Sequence, residues 1–87
     1  MLTDYVEKNV LVRTVTHYYT GRLGELAADG FLVLRDAAWI ADTGRFANAL
    51  ASGSLDEVEP YPGDCLVSLG AVVDLCEWPH DLPRAQK

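Results

Sequence analysis

Cations, cysteine, histidine and methionine are all scarce in this chain. Among 87 residues, seven Lys and Arg stand against thirteen Asp and Glu, with two Cys, two His and one Met. A formal net charge of −6 has the wrong sign for a domain that gains affinity by neutralising phosphates, so the whole-chain field disfavours nucleic acid and leaves only a local cationic patch to attract it. Cys65 and Cys76 are too few for a metal framework or a disulfide scaffold, and neither His17 nor His80 stands in metal-ligand spacing with them. No apolar run reaches the length of a membrane span, and Met1-Leu2-Thr3-Asp4-Tyr5 has neither the basic start nor the apolar stretch of a secretory signal. The expectation is a soluble, cytoplasmic protein with no membrane partner, without internal repeats or low-complexity stretches.

The same scarcity removes most chemistry. No serine or cysteine has a histidine at a spacing that makes it a base, and Asp56, Glu57 and Glu59 read as a solvated acidic connector rather than a cation site or a catalytic pair. Gly21-Arg22-Leu23-Gly24 lies within a strand, whereas a phosphate cradle needs its glycines in a turn that opens a helix. A hairpin centred on Gly70-Ala71 would set Cys65 opposite Cys76 within bridging reach; two small buried thiols are the preferred reading. A zinc-dependent enzyme built on Cys65, Cys76 and His80 is the third-ranked reading, behind turn and edge roles for the histidines. The chain is expected to be non-catalytic, with no cofactor and no metal.

What the chain does have is apolar residues, 49% of the total, in strand-like order. A domain of this length buries only a little over ~60% of the surface its unfolded chain exposes. Apolar surface is therefore left over for other copies of the chain or another partner. Thr3 caps an expected short helix over 4–8. From Val10 to Thr16, alternation puts Val10, Val12 and Thr14 on one face and Leu11, Arg13 and Val15 on the other. A second strand runs from Tyr18 to Ala27, with Gly21 marking a bend, and Asp29-Gly30 supplies the positive φ of a tight reversal into Phe31–Ala37. Leu32 and Leu34 point inward there, Val33 and Arg35 outward.

Residues 38–63 read as an insertion, with a helix capped by Asp42 or Thr43 and ended near Gly53, Phe46 and Leu50 on one face, and a turn at Tyr61-Pro62-Gly63. Two more apolar strands follow, Asp64–Ser68 and Val72–Cys76. Pro79 to Pro83 cannot continue a sheet, and 79–87 closes as a polar tail. Trp39, Phe46, Tyr61 and Trp78 are candidate stacking partners for bases; without interleaved Lys and Arg they are read as packing residues.

This order of elements resembles the Sm-like family of Sm, LSm and bacterial Hfq proteins, in a variant similar to phage and environmental sequences. The first Sm motif is matched by Val10, Val12, Gly21, Leu23, Leu32, Leu34, Asp36 and Ala37, and the shorter second motif by Gly70 and Val73. The resemblance implies a single domain over 1–87: a mainly β, SH3-like, five-stranded bent antiparallel barrel with a short N-terminal helix and a helical insertion between strands three and four. It also implies a homo-oligomeric ring of five to eight copies, in which strand four of one subunit pairs with strand five of the next. Leu66, Val67, Val72, Val73 and Leu75 would form that interface.

In RNA-binding members, an Asp and a Met-Asn pair follow strand two and an Arg-Gly joins the last two strands. Ala27, Gly30 and Phe31 occupy the former places here and Leu69 precedes Gly70, so the groups that read a base and hold a phosphate are replaced. The expected role is an oligomeric scaffold or interaction ring, in the bacterial host cytoplasm if phage-encoded. The alternative is an RNA- or single-strand-binding ring that uses Phe31, Arg13, Arg22 and Arg35.

Overall fold

The computed structural model describes residues 1–26 and 29–87, with the side chain of Leu26 left aside; the expected replacement at Ala27 lies outside the described residues. Six strands form one antiparallel sheet: β1 (Asn9–Thr14), β2 (Tyr18–Leu26), β3 (Phe31–Asp42), β4 (Glu57–Pro60), β5 (Cys65–Ser68) and β6 (Val72–Glu77). A seven-residue helix, α1 (Phe46–Ser52), lies between β3 and β4. The order is β4-β3-β2-β1-β6, and β5 also pairs with β3.

The central meander follows the alternation in the sequence. Leu32 and Leu34 are buried with Val10, Val12, Leu23, Ala37 and Val67 in a first core, while Val33 and Arg35 are only partly covered. The reversal at Gly30 takes φ 90°, a conformation with no steric cost for glycine. At Gly21 the register of β2 on β3 shifts, and Asp36 on the facing strand has φ 50°. A Cβ on Gly21 would stand 3.0 Å from the Cβ of Leu34 and 3.3 Å from the Arg35 carbonyl oxygen. Glycine thus lets the two strands close on each other where the sheet bends.

The opposite face of the sheet is covered as well. Leu11, Ala38 and Ile40 pack there with Ala49 of α1, Leu55, Val58 and Trp78. Leu11 therefore leaves the core of Val10 and Val12 and enters a second one, whereas Arg13 and Val15 on its side of the strand stay exposed. Full burial of each leucine, isoleucine or valine side chain here contributes about 1.5–3 kcal/mol, so the second core holds the segments on either side of the ladder to the sheet.

Several expected elements are corrected. The helix over 4–8 is instead a 3-10 turn, Leu2–Tyr5, which follows Met1 rather than a Thr3 cap. β3 continues to Asp42, and β4 occupies much of the expected acidic connector, so the segment between the two strands is 43–56 and the sheet has one strand more than expected. Val58 makes β4: it sits opposite Ile40 in the second core while Glu57 and Glu59 face water. Asp42 does not cap α1. It accepts the Gly44 N–H at 2.8 Å, and Arg45 precedes the helix. Gly53, at φ 78°, ends α1 with its N–H on the Ala49 carbonyl at 2.8 Å, an arrangement that favours glycine.

The tail is also anchored rather than loose. Trp78 donates its backbone N–H to Asn9 and its indole N–H to the Asp81 carbonyl. His80 Nε2 lies 2.8 Å from the Leu50 carbonyl oxygen, Arg84 forks onto the carbonyls of Ala37 and Tyr61, and Lys87 exchanges two backbone hydrogen bonds of 3.0 Å with Val58. Among the described residues no helix is long and apolar enough to cross a membrane.

Candidate assembly edges and nucleic-acid site

β5 and β6 do not form a hairpin. The 3-10 turn Leu69–Ala71 carries the chain from β5, which pairs with β3, to β6, which pairs with β1. Among the described residues each has sheet hydrogen bonds along one side only, so the two strands are separate open borders. The Val58–Lys87 exchange occupies a place on β4, leaving β5 as the free part of that border. Unpaired backbone donors and acceptors in a row are a template for another strand.

The five expected interface residues divide by face. Leu66 and Val73 are 60% and 57% exposed. Val67 is a core side chain opposite Leu32, so only its backbone is on offer at the border, and Val72 and Leu75 pack against the first core. Leu69, 38% exposed, extends the apolar border, and neither its role nor the exposure of Val15 is signalled by the alternation of the strands.

Cys65 and Cys76 are both free thiols and are not opposite each other; the expectation of two buried thiols is corrected, since Cys65 is half-buried and Cys76 exposed. Cys65 is in register with Leu34 and packs on the first core, whereas Cys76 is in register with Leu11, whose side chain enters the second. The two thiols thus leave opposite faces of their strands. Burial pushes both thiols up from their ordinary value, which makes them poor nucleophiles at neutral pH. His80 stacks edge-on with Trp78 at 4.7 Å, and among the described residues no three His, Cys, Asp or Glu side chains gather as metal ligands. The zinc-enzyme reading built on Cys65, Cys76 and His80 is set aside by this placement.

The residue before β3, Gly30, meets the turn between β5 and β6. Leu69 donates its N–H to the Gly30 carbonyl at 2.9 Å, and Phe31 is in register with Ser68, half-buried beside that junction. The arginines expected to assist Phe31 are engaged with carboxylates. Arg13 is paired with Asp74, which holds its guanidinium above the ordinary value through hydrogen bonding and charge. Arg22 lies 3.0 Å from Asp36 and 3.7 Å from Glu7, and Arg35 lies 3.0 Å from Asp64. Exposed pairs of this kind add little stability, but they neutralise the cations one by one. Phe31, Arg13, Arg22 and Arg35 do not make a cationic patch.

The candidate stacking residues are likewise divided. Trp78 is buried, Phe46 packs on Tyr18 at 5.7 Å on the α1 side, and Tyr61 lies 6.3 Å from Tyr19. Burial first, and then the neighbouring Cys65 and Tyr19, push the Tyr61 phenol up to about 12.

No protein-family model and no curated protein matches the chain. Solved structures do. A heptameric archaeal Sm protein is similar with a TM-score of 0.65 and 25% identity, over 90% of this chain and 96% of that one. The SmAP1 heptamer of P. aerophilum is similar with a TM-score of 0.65 and 25% identity, over 91% of this chain and 89% of that one. An Sm protein of Pyrococcus abyssii, solved in complex with a uridine heptamer, shares the fold with a TM-score of 0.60 and 21% identity, over 87% and 90% of the two chains.

Proposed function

The chain is an Sm-like protein, and from that premise we propose that it closes into a homo-oligomeric ring, of five to eight copies, that acts as a scaffold or interaction module and not as an enzyme. One observation carries the reading: β5 and β6 are unpaired borders at opposite ends of the strand order, with Leu66 and Val73 exposed along them. Pairing β5 of one copy with β6 of the next satisfies both borders at once, and repetition about an axis leaves none over. The archaeal Sm protein and the P. aerophilum SmAP1 protein are heptamers, which makes seven the expected number.

Sedimentation equilibrium of the parent chain and of Leu66→Glu and Val73→Glu tests this. Both substitutions place charge on an exposed position without emptying the core, so folded monomers are the expected product. A parent chain that is itself monomeric overturns the reading.

A second reading, a nucleic-acid-binding ring, has one observation in its favour, the half-buried Phe31 at the Gly30–Leu69 junction. A stacked base there would bind without the usual charge support. Titration with oligouridine across salt concentrations separates the two: a scaffold shows no binding at low salt, and phosphate-driven binding shows a steep loss of affinity as salt rises.

A further inference from the structure

One sheet face of a single chain carries a row of rings. Tyr19 and Trp39 are cross-strand partners on β2 and β3, and Trp39 is opposite Glu59 on β4, so all three side chains leave the same face. His17 joins the row with its ring 4.8 Å from that of Tyr19 and edge-on to that of Trp39 at 5.5 Å. The rings are held in place: His17 Nε2 is 2.7 Å from the Tyr19 hydroxyl, and Nδ1 is 2.7 Å from Thr16 Oγ1. Trp39 nonetheless leaves 38% of its surface in water. A rigid, exposed indole offers large contact area at little further loss of entropy.

The charge around it decides what fits. Glu59 lies directly across from Trp39, and Glu57 is two residues along the same strand, on the same face. Among the described residues neither carboxylate has an ion-pair partner, in contrast to the acids matched by Arg13, Arg22 and Arg35. Among the described residues Glu59 accepts only the neutral amide of Gln86, and Arg84 is committed to the backbone carbonyls of Ala37 and Tyr61.

We infer that this face receives a cationic peptide segment of a partner protein, one Arg or Lys laid over Trp39 with its charge against Glu59 and Glu57. Tryptophan is the best ring for a cation, a carboxylate beside it adds a charge-assisted hydrogen bond, and the net charge of −6 steers a basic segment inward. The same carboxylates repel phosphate and repel a second copy of this acidic chain. The inference stands apart from ring closure, since one chain supplies every residue.

The test is fluorescence anisotropy of labelled octa-arginine with the full chain, beside octa-glutamate and oligouridine controls. Octa-arginine binds, the controls do not, and Trp39→Ala weakens binding about tenfold or more, the scale of a desolvated cation–π contact with its packing. Glu57→Gln with Glu59→Gln, both exposed, weakens it at least several-fold, which keeps the test decisive if Trp39→Ala fails to fold. Leu66→Glu, which breaks the expected ring, leaves octa-arginine binding intact. Absence of octa-arginine binding at low salt, equal binding of oligouridine, or a folded Trp39→Ala chain that binds as tightly as the parent overturns the inference.

Discussion

Gly21 on β2 and Leu34 on β3 approach so closely that a Cβ on the glycine would stand 3.0 Å from that of the leucine. Neither strand has room to give, because Leu34 is fully buried and the Arg35 carbonyl is 3.3 Å from the same point. Gly21→Val is expected to destabilise the fold by about 1–3 kcal/mol, the cost of overpacking a filled core. Gly24→Ala is expected to cost less, since its nearest obstacle is the flexible Arg35 side chain at 3.2 Å. Urea denaturation of both variants beside the parent checks the order.

Thr20 is fully buried on β2 and its hydroxyl has no hydrogen-bond partner among the described residues. Replacing a buried unsatisfied hydroxyl by a methyl group removes a desolvation penalty. Thr20→Val is expected to leave the fold unchanged and raise its stability by about 1 kcal/mol, read as an upward shift of the denaturation midpoint at constant m-value. A loss of stability would mean that the hydroxyl is satisfied after all.

Tyr61 gives the fold an alkaline limit. Its phenol is pushed up to about 12 in the folded chain, against an ordinary value near 10. The neutral ring is therefore the form that folding favours. That stabilisation is fully present below about pH 10 and is lost as pH rises toward 12. Thermal midpoints measured through this window should fall more steeply for the parent than for Tyr61→Phe. Parallel curves would contradict the assignment.

Cys65 and Cys76 have thiols raised by burial and leave opposite faces of their strands. Alkylation by iodoacetamide at neutral pH is expected to be slower for both than for a free cysteine peptide. Mild oxidation is expected to form no Cys65–Cys76 cross-link, within a chain or between neighbours. A disulfide-linked peptide in a digest of the oxidised protein would refute this.

The meander was legible because its residues report their own environment. Alternation around Leu32 and Leu34, the β-branched run at Val10, and Asp29-Gly30 at the reversal are local signals that the tertiary structure keeps. β4 was not legible, because its one apolar residue, Val58, acquires meaning only from Ile40 across the ladder and from Trp78 beyond it. The C-terminal anchor depends in the same way on remote partners: Asn9 for Trp78, Leu50 for His80, and Ala37 and Tyr61 for Arg84. In the candidate site, the apolar strands on either side of Gly70 announced sticky borders, but not that Val67 faces the core while Leu66 faces out. Spacing also gave no sign that Asp36, Asp64 and Asp74 would each claim an arginine. The ring row was hidden for a topological reason, since His17, Tyr19 and Trp39 come together only when β2 and β3 align.

Native mass spectrometry of the unmodified chain at micromolar concentration addresses the central claim most directly, because open borders on β5 and β6 leave a lone subunit with apolar surface and unpaired backbone. A single dominant assembly of five to eight chains, with seven expected, is the predicted result. A spectrum dominated by the monomer would contradict it.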